Sequence, residues 1–212
     1  MWALITDGTI QQIYQRPKSL VIGEVRYPSN MFTKYTDAEK AAIGIYPVVD
    51  TGTKGDDRFQ YTSQATYTFD SSNNRVTTAY TITDKVLTDT NNVDEDGNAI
   101  TDYKGNQTVT LGLKSIAKNQ TKETANYLIK RFNWLVERLA YDSSKTIPSV
   151  VGTYVGDIKT DCAAIEAAID AASDMTAFKT LYENTYNSNG TINVVARINR
   201  WSDDYDVKEY VR

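Results

Sequence analysis

The sequence predicts an α+β fold, in which a β-rich N-terminal part is followed by a helical C-terminal part. Three observations support this: glycine-centred hairpin signals in the first 49 residues, period-two alternation over residues 58–83, and apolar residues spaced by three and four from about residue 113 onward. We therefore expect a β-hairpin and helix module over 1–49, a Thr- and Tyr-rich antiparallel β region over 50–111, and a helical region over 112–212.

The first 49 residues divide into short strands separated by turns. Asp7-Gly8 predicts a type I′ hairpin between strands at 2–6 and 9–14, because both central positions of that turn need a positive φ. Gly23-Glu24 predicts a second hairpin between residues 19–22 and 25–27.

A short helix and a last strand complete this module. Thr36 and Glu39 have the spacing of a capping box, which predicts a helix from about Asp37 to Ile43 that ends at Gly44. Residues 45–49 follow as a strand. The start of the chain has no basic segment before an apolar run, so we expect no signal peptide.

A polar, glycine-bearing break at 50–57 precedes the second region. Alternating Thr and Tyr residues over 58–83, with a turn at 70–74, predict antiparallel strands. Farther along, the oxygen-bearing side chains of Asn92, Asp94 and Asp96 precede Gly97 as in the first half of a calcium loop, but the twelfth position is Tyr103 and not an acid. We interpret this stretch as a solvent loop with hairpin turns at 96–97 and 104–105, and a bound cation is the alternative.

The helical region begins with a predicted long helix over about 113–140, which would span about 40 Å. Its apolar stripe is polar at Gln120 and Thr124. Two interpretations stay open: the helix packs on its own chain, or it pairs with symmetry copies in an oligomer, where polar core residues fix the register. A second helix over about 150–172 predicts an antiparallel helical hairpin. Asp174 is expected to cap a short helix, and residues 191–195 a strand.

Composition limits the chemistry. The net charge is −4, no region is strongly basic, and no run is long enough for a membrane span, so we expect neither nucleic acid nor a membrane as partner. The absence of histidine removes Ser-His-Asp and Cys-His catalysis. We expect no enzyme, no cofactor, and no catalytic, cofactor-binding or metal-binding residues.

Two other clusters also favour ordinary structural explanations. Asp203, Asp204 and Asp206 lie near Trp201, but adjacent acids in a tail point in different directions and do not make a glycosidase pair. The Gly52 to Gly55 stretch, with Lys54, lacks the ending of a phosphate loop and is interpreted as a linker. The single cysteine, Cys162, excludes a disulfide within the chain and is interpreted as a buried helical thiol.

Two stretches, covering about half of the chain, resemble a known group of proteins. The first comprises turn and core residues of the N-terminal module: Trp2-Ala3-Leu4-Ile5, Asp7-Gly8, Ile13-Tyr14, Arg16-Pro17, Tyr27-Pro28, Met31-Phe32-Thr33 and Ile43-Gly44-Ile45-Tyr46. The second lies in the helical region: Trp134, Arg138, Ala140, Ile147-Pro148, Tyr154, Ile158, Ile165 and Ile169. Both are similar to structural proteins of tailed, marine cyanophage-type bacteriophages, particularly tail-fibre and tail-fibre-assembly proteins.

The resemblance implies a non-enzymatic virion protein, made in the host bacterial cytoplasm, that acts by assembly with other virion proteins and as a homo-oligomer. A tail or tail-fibre component is the leading expectation, with the N-terminal module as its attachment piece. The alternatives are a capsid decoration or head–tail adaptor protein, a module that binds host-surface glycan through exposed Tyr and Trp, and a tail-fibre assembly chaperone.

Overall fold

The computed structural model describes residues 1–211 and divides the chain into two compact units, residues 1–84 and the residues from Lys85 onward. The predicted α+β class is confirmed. The sheet of the first unit runs across the domain boundary predicted at residue 50, so residues 1–49 and the Thr- and Tyr-rich strands belong to one unit. Within the described residues, no helix combines the length and apolar character needed to cross a bilayer.

The first unit contains nine strands and two short helices. The strands are β1 (Trp2–Thr6), β2 (Thr9–Tyr14), β3 (Leu20–Ile22), β4 (Val25–Tyr27), β5 (Ile45–Val49), β6 (Gln60–Thr62), β7 (Thr66–Asp70), β8 (Arg75–Ala79) and β9 (Ile82–Asp84), and the helices are α1 (Met31–Lys34) and α2 (Asp37–Ala42). The hairpins β1–β2, β3–β4 and β7–β8 and the helix at 37–42 match the sequence predictions, whereas α1 was not predicted.

Strand β5 lies at the centre of a five-stranded sheet with the order β2-β1-β5-β8-β7. It pairs antiparallel with β1 and parallel with β8, through Val48 opposite Val76 and Val49 opposite Thr77. The β7–β8 hairpin continues into the antiparallel pair β6–β9, where the Ser63 N–H donates to the carbonyl of Thr81 over 2.9 Å.

The five-stranded sheet buries apolar side chains on both faces. One face presents Ala3, Ile5 and Val76, and the other presents Ile45 to a cluster that includes Tyr14 and residues of β3 and α1. A bulge between Leu4 and Ile5 leaves an extra residue in β2, since Leu4 is opposite Gln12 and Ile5 is opposite Ile10. The bulge places Ile10 and Ile13 on the same face although they are three residues apart.

The predicted capping box is confirmed. The Glu39 N–H donates to Oγ1 of Thr36 over 3.3 Å, and the Thr36 N–H donates to Oε2 of Glu39 over 2.7 Å, so two N–H groups at the start of α2 are satisfied. Helix α2 ends before Gly44, which has a φ of 77° and whose N–H donates to the carbonyl of Ala41. A Cβ at this position would lie 2.5 Å from the carbonyl oxygen of Ile5.

The second unit contains a helical bundle, short β elements and a C-terminal segment. Its helices are α3 (Leu113–Lys130), α4 (Asn133–Tyr141), α5 (Ser149–Ala171) and α6 (Met175–Thr180), and its strands are β10 (Thr90–Asn91), β11 (Val109–Thr110), β12 (Thr185–Tyr186) and β13 (Ile192–Val194). Asp174 caps α6 by accepting from the Ala177 N–H over 2.8 Å, as predicted. Two 3-10 helices, Arg197–Asn199 and Tyr205–Tyr210, lie in the C-terminal segment.

The prediction of one continuous helix over 113–140 is wrong, because the chain breaks between α3 and α4. Phe132, with a φ of −106° and a ψ of 1°, leaves the helical conformation. The break places the side chains of Phe132 and Leu135 in the core beside Tyr154 and Ile158. A straight helix would continue along one line, so the gain in apolar burial explains the turn.

Helices α3 and α5 form the predicted antiparallel hairpin. Lys118 pairs with Asp170 over 2.8 Å and Lys122 with Glu166 over 3.3 Å, so residues farther along α3 contact residues earlier in α5. The buried stripe of α3 consists of Ala117, Thr121 and Ala125, whereas Gln120 and Thr124 are exposed. The small side chains permit close packing, and the Thr121 hydroxyl donates to the carbonyl of Ala117 within its own helix.

We predict that Gly44→Ala lowers the free energy of unfolding by more than about 2 kcal/mol, because the new methyl group meets the Ile5 carbonyl and the backbone φ is positive. Gly8→Ala is the matched control, since Gly8 has a φ of 75° with open space around it, and it should cost about 1 kcal/mol. Denaturant unfolding measures both. Equal losses would contradict the close approach at Gly44.

Candidate interaction surfaces

The stretch from residue 16 to residue 34 combines exposed valines with exposed cationic side chains. These are Arg16, Lys18, Val21, Val25, Arg26 and Lys34, and we call them the cationic face. In the β3–β4 hairpin, Leu20 and Tyr27 are opposite each other and pack toward the core, so the next pair, Val21 and Arg26, points outward. Val21 is 60% exposed. Val25 is opposite Ile22, so it lies on the same side of the hairpin as Leu20 and Tyr27, but it is 53% exposed.

The ion pairs of the first unit are unevenly distributed. Four of its cations pair with nearby carboxylates: Lys40 with Asp37, Lys54 with Asp50, Arg58 with Asp56 and Arg75 with Asp70. Among the described residues, the other four, which are the cations of the cationic face, have no carboxylate partner within 4.0 Å. Lys18 instead lies 5.1 Å from the centre of the Tyr14 ring. Between residues 16 and 34 the sequence has these four cations and one acid, Glu24, so this stretch has a net positive charge.

Residues 90–110 of the second unit form a separate structure that we call the three-armed module. Two arms are small hairpins, closed by bridges between Val93 and Ala99 and between Thr101 and Gln107. The third arm is the β10–β11 pair, which leads to the rest of the chain. The arms correspond to an eight-residue repeat in which Asp-x-x-Gly-Asn occurs at 94–98 and again at 102–106.

A closed ring of main-chain hydrogen bonds joins the arms. The Asn92 N–H donates to the Thr108 carbonyl over 3.0 Å, the Thr108 N–H to the Ile100 carbonyl over 2.8 Å, and the Ile100 N–H to the Asn92 carbonyl over 3.0 Å. Nε2 of Gln107 donates to the same three carbonyl oxygens, at 2.6 Å from Asn92, 3.2 Å from Thr108 and 3.4 Å from Ile100. The ring therefore gives the module an interior that is polar and hydrogen-bonded.

The acidic side chains of the calcium-like sequence accept hydrogen bonds within their own turns. Oδ1 of Asp94 accepts from the N–H groups of Asp96 and Asn98 over 3.0 and 2.8 Å, and Oδ2 accepts from Nδ2 of Asn98. Asp102 repeats these bonds with Lys104 and Asn106. The hydrogen bonds from Asn98 and Asn106, main chain first, lower the pKa values of the Asp94 and Asp102 carboxyls.

Gly97 and Gly105 occupy the positive-φ positions of the two tips, with φ values of 83° and 85°, as the predicted hairpin turns require. Within the described residues, no group of three or more Cys, Asp or Glu side chains has the geometry of a metal site.

The acidic tail residues take separate roles. Asp204 pairs with Arg131 over 3.0 Å, and the same guanidinium donates to the hydroxyl of Tyr154. Asp203 accepts from the N–H of Tyr205, and with Asp206 it lines a small cavity of about 80 Å³ beside Asp157. The tail thus attaches the C-terminal segment to the helices.

Trp201 and Tyr210 pack on the helical core, and Tyr205 is exposed. The indole N–H of Trp134 donates to the carbonyl of Tyr210 over 2.8 Å. Among the described residues of the second unit, Tyr103 and Tyr141 are the most exposed aromatic side chains, at 91% and 93%.

The Gly52 to Gly55 stretch behaves as a linker that is fastened to β8. The Asp50 carboxylate accepts from the hydroxyls of Thr78 and Tyr80, and the Thr78 bond makes the largest contribution to lowering the pKa of Asp50. Lys54 lies 3.7 Å from Asp50 and 5.0 Å from the centre of the Tyr80 ring, so its ammonium is already engaged within the chain.

Cys162 is half-buried, and burial raises the pKa of its thiol.

An apolar groove of about 220 Å³ lies between α5 and the α3–α4 segment. Its lining includes Phe132, Val136, Ile147, Gly152 and Val155.

Comparison with known proteins gives no relative: no family model, curated protein or solved structure matches the chain.

Sequence reasoning missed the cationic face and the ring of the three-armed module. The eight-residue repeat was a signal that could have indicated the ring. The cationic face had no comparable signal, because it depends on which cations find carboxylates after folding.

We predict that Gln107→Ala destabilises the three-armed module by about 1 kcal/mol, because three inward carbonyl oxygens lose a shared donor. Amide hydrogen exchange at Ile100 and Thr108 should accelerate. Gln120→Ala, on the exposed side of α3, should leave both amides unchanged. Unaltered exchange in the Gln107 variant would show that its amide is dispensable.

We also predict that acid loosens the two arm tips. Because the folded-state pKa values of Asp94 and Asp102 are lowered, their stabilising contribution is complete above the unfolded value of about 3.9 and is lost as the pH falls below it. Amide chemical shifts of Asn98 and Asn106 report this transition. An Asp94→Asn/Asp102→Asn variant should show no such titration, and a titration that persists in it would assign the effect to other groups.

Proposed function

We propose that the chain is a structural protein of a tailed bacteriophage, a tail or tail-fibre component that acts by protein–protein assembly. The observation that supports this most directly is the cationic face, which combines exposed valines with cations that have no carboxylate partner among the described residues. Such a mixture of apolar and arginine side chains is typical of a surface that binds another protein.

The resemblance to phage structural proteins involves residues on which the fold of the N-terminal unit depends. Asp7 and Gly8 form the β1–β2 turn with φ values of 52° and 75°, Met31 and Phe32 are buried, and Gly44 lies against the Ile5 carbonyl. A pattern of turn and core residues indicates a shared module and supports attachment rather than a shared reaction.

The attachment module is now best defined as residues 1–84. Strand β5 lies between β1 and β8, so a cut at residue 49 would leave β8 without its partner. Deletion of residues 1–84 matches the compact unit and is the appropriate version of a truncation experiment.

A second candidate function is binding of host-surface glycan. The nearly complete exposure of Tyr103 and Tyr141 favours it, because aromatic rings bury area at low entropic cost. Trp201 offers less support, since it packs on the helical core. Glycan-array binding that is lost in Tyr103→Ala or Tyr141→Ala would select this function.

We predict that mass spectrometry of purified particles from the virus encoding this chain detects it as a stoichiometric component. About 6 to 18 copies per particle indicate a tail or adaptor part with closed ring symmetry, and hundreds indicate capsid decoration. Deletion of residues 1–84 should remove the chain from particles. Absence of the intact chain from finished particles would reject the virion role and favour the assembly chaperone.

A further inference from the structure

We propose that the cationic face binds a carboxylate-bearing protein surface with apolar side chains between its acids. The inference rests on the proposed function only in taking that partner to be a particle protein. The chemistry of the partner follows from the face itself, and the test below works without particles.

Electrostatics favour an anionic partner. Lys40, Lys54, Arg58 and Arg75 pair with carboxylates of the same unit, whereas the side chains of the first unit's other cations, between residues 16 and 34, have no carboxylate within 4.0 Å in the described part of the chain. These four side chains arise from segments whose inner sides share one apolar cluster around Tyr14, Leu20 and Phe32. The four cations therefore lie on neighbouring segments of one compact unit, where positive potentials add.

Exposed apolar side chains distinguish a protein partner from other anions. Val21 is opposite Arg26 on the outward side of the hairpin, and Val25, opposite Ile22, is exposed beside Arg26 in β4. Exposed valines gain free energy only from contact with apolar groups, which phosphates do not supply. A tightly bound nucleic acid also needs several phosphate contacts, and the chain as a whole has a net charge of −4, which would repel it.

Strands β3 and β4 form a two-stranded sheet of their own, so each has an edge outside the five-stranded sheet. Val25 and Arg26 are successive residues of β4 and point to opposite sides of the hairpin. An extended partner segment of alternating apolar and acidic residues beside β4 would place an apolar side chain next to Val25 and an acid next to Arg26. The contact would combine apolar burial with charge-assisted hydrogen bonds from the arginines.

The experiment uses the full-length chain and a fluorescent, end-blocked peptide of alternating glutamate and leucine. Fluorescence anisotropy should show binding that weakens when the salt concentration rises from about 50 to 300 mM, because added salt shortens the Debye length and so screens the attraction between charges. The Arg16→Glu/Arg26→Glu variant should bind about tenfold more weakly or worse. Arg16→Gln/Arg26→Gln should fall between the two, and circular dichroism checks that each variant is folded.

Controls separate this inference from its competitors. Lys130→Glu/Lys159→Glu makes the same change in net charge at exposed positions of the second unit, and it should leave peptide affinity unchanged. Val21→Ser/Val25→Ser should weaken peptide binding but not binding to a short DNA duplex. Equal loss in the two charge variants, no peptide binding at low salt, or tighter binding to the duplex or to phosphatidylglycerol vesicles would overturn the proposal.

The two proposals fail in different assays. Absence from purified particles rejects the virion role while leaving the peptide measurements to decide the chemistry of the face. Failure of peptide binding, with the chain present in particles, rejects the acidic partner and leaves the virion role in place.

Discussion

The first unit depends on strand β5, because this strand connects two hairpins that are separate in sequence. Its antiparallel bonds to β1 continue the N-terminal hairpin, and its parallel bonds to β8 add the β7–β8 hairpin. Parallel pairing needs a long connection between the strands, and closing that connection costs conformational entropy. Here Asp50 extends the pairing, since its carboxylate accepts from the Thr78 hydroxyl immediately after the strand. The segments that carry the cationic face pack on the cluster that contains Ile45, so their position depends on the same strand.

Local signals in the sequence predicted the local elements. The Asp7-Gly8 turn, the Thr36 and Glu39 capping box and the termination at Gly44 each depend on residues within a few positions, and each is present. Non-local relations were not predictable in this way. The pairing of β5 with β8 needs knowledge of burial on both faces, and the break at Phe132 reflects packing against Tyr154 rather than any helix-breaking residue. For the surface, the sequence lists cations but not their partners.

The three-armed module shows a different route to order. Val93, Ile100 and Val109 are exposed, so apolar burial contributes little there. Order comes instead from the ring through Asn92, Ile100 and Thr108 and from Asp94 and Asp102, which satisfy the N–H groups of their own turns. Each net hydrogen bond is worth about 1 kcal/mol, so a module of this size needs nearly all its polar groups satisfied. The repetition of the same five-residue tip is the simplest way for a short sequence to meet that demand twice.

The two units therefore present surfaces of different origin. The side chains of the cationic face extend from segments whose inner sides are buried. The backbone that carries them is therefore held by a core that tolerates little change. The arm tips are held by hydrogen bonds within each turn. The residues between the Asp and the Gly of each tip, including the almost completely exposed Tyr103, can therefore vary without loss of the turn. A surface that must keep one partner is better placed on the first kind of support, and a surface that must change its target is better placed on the second. On this reasoning the N-terminal unit is the better candidate for attachment, and the tips are the better candidates for contact with a variable ligand.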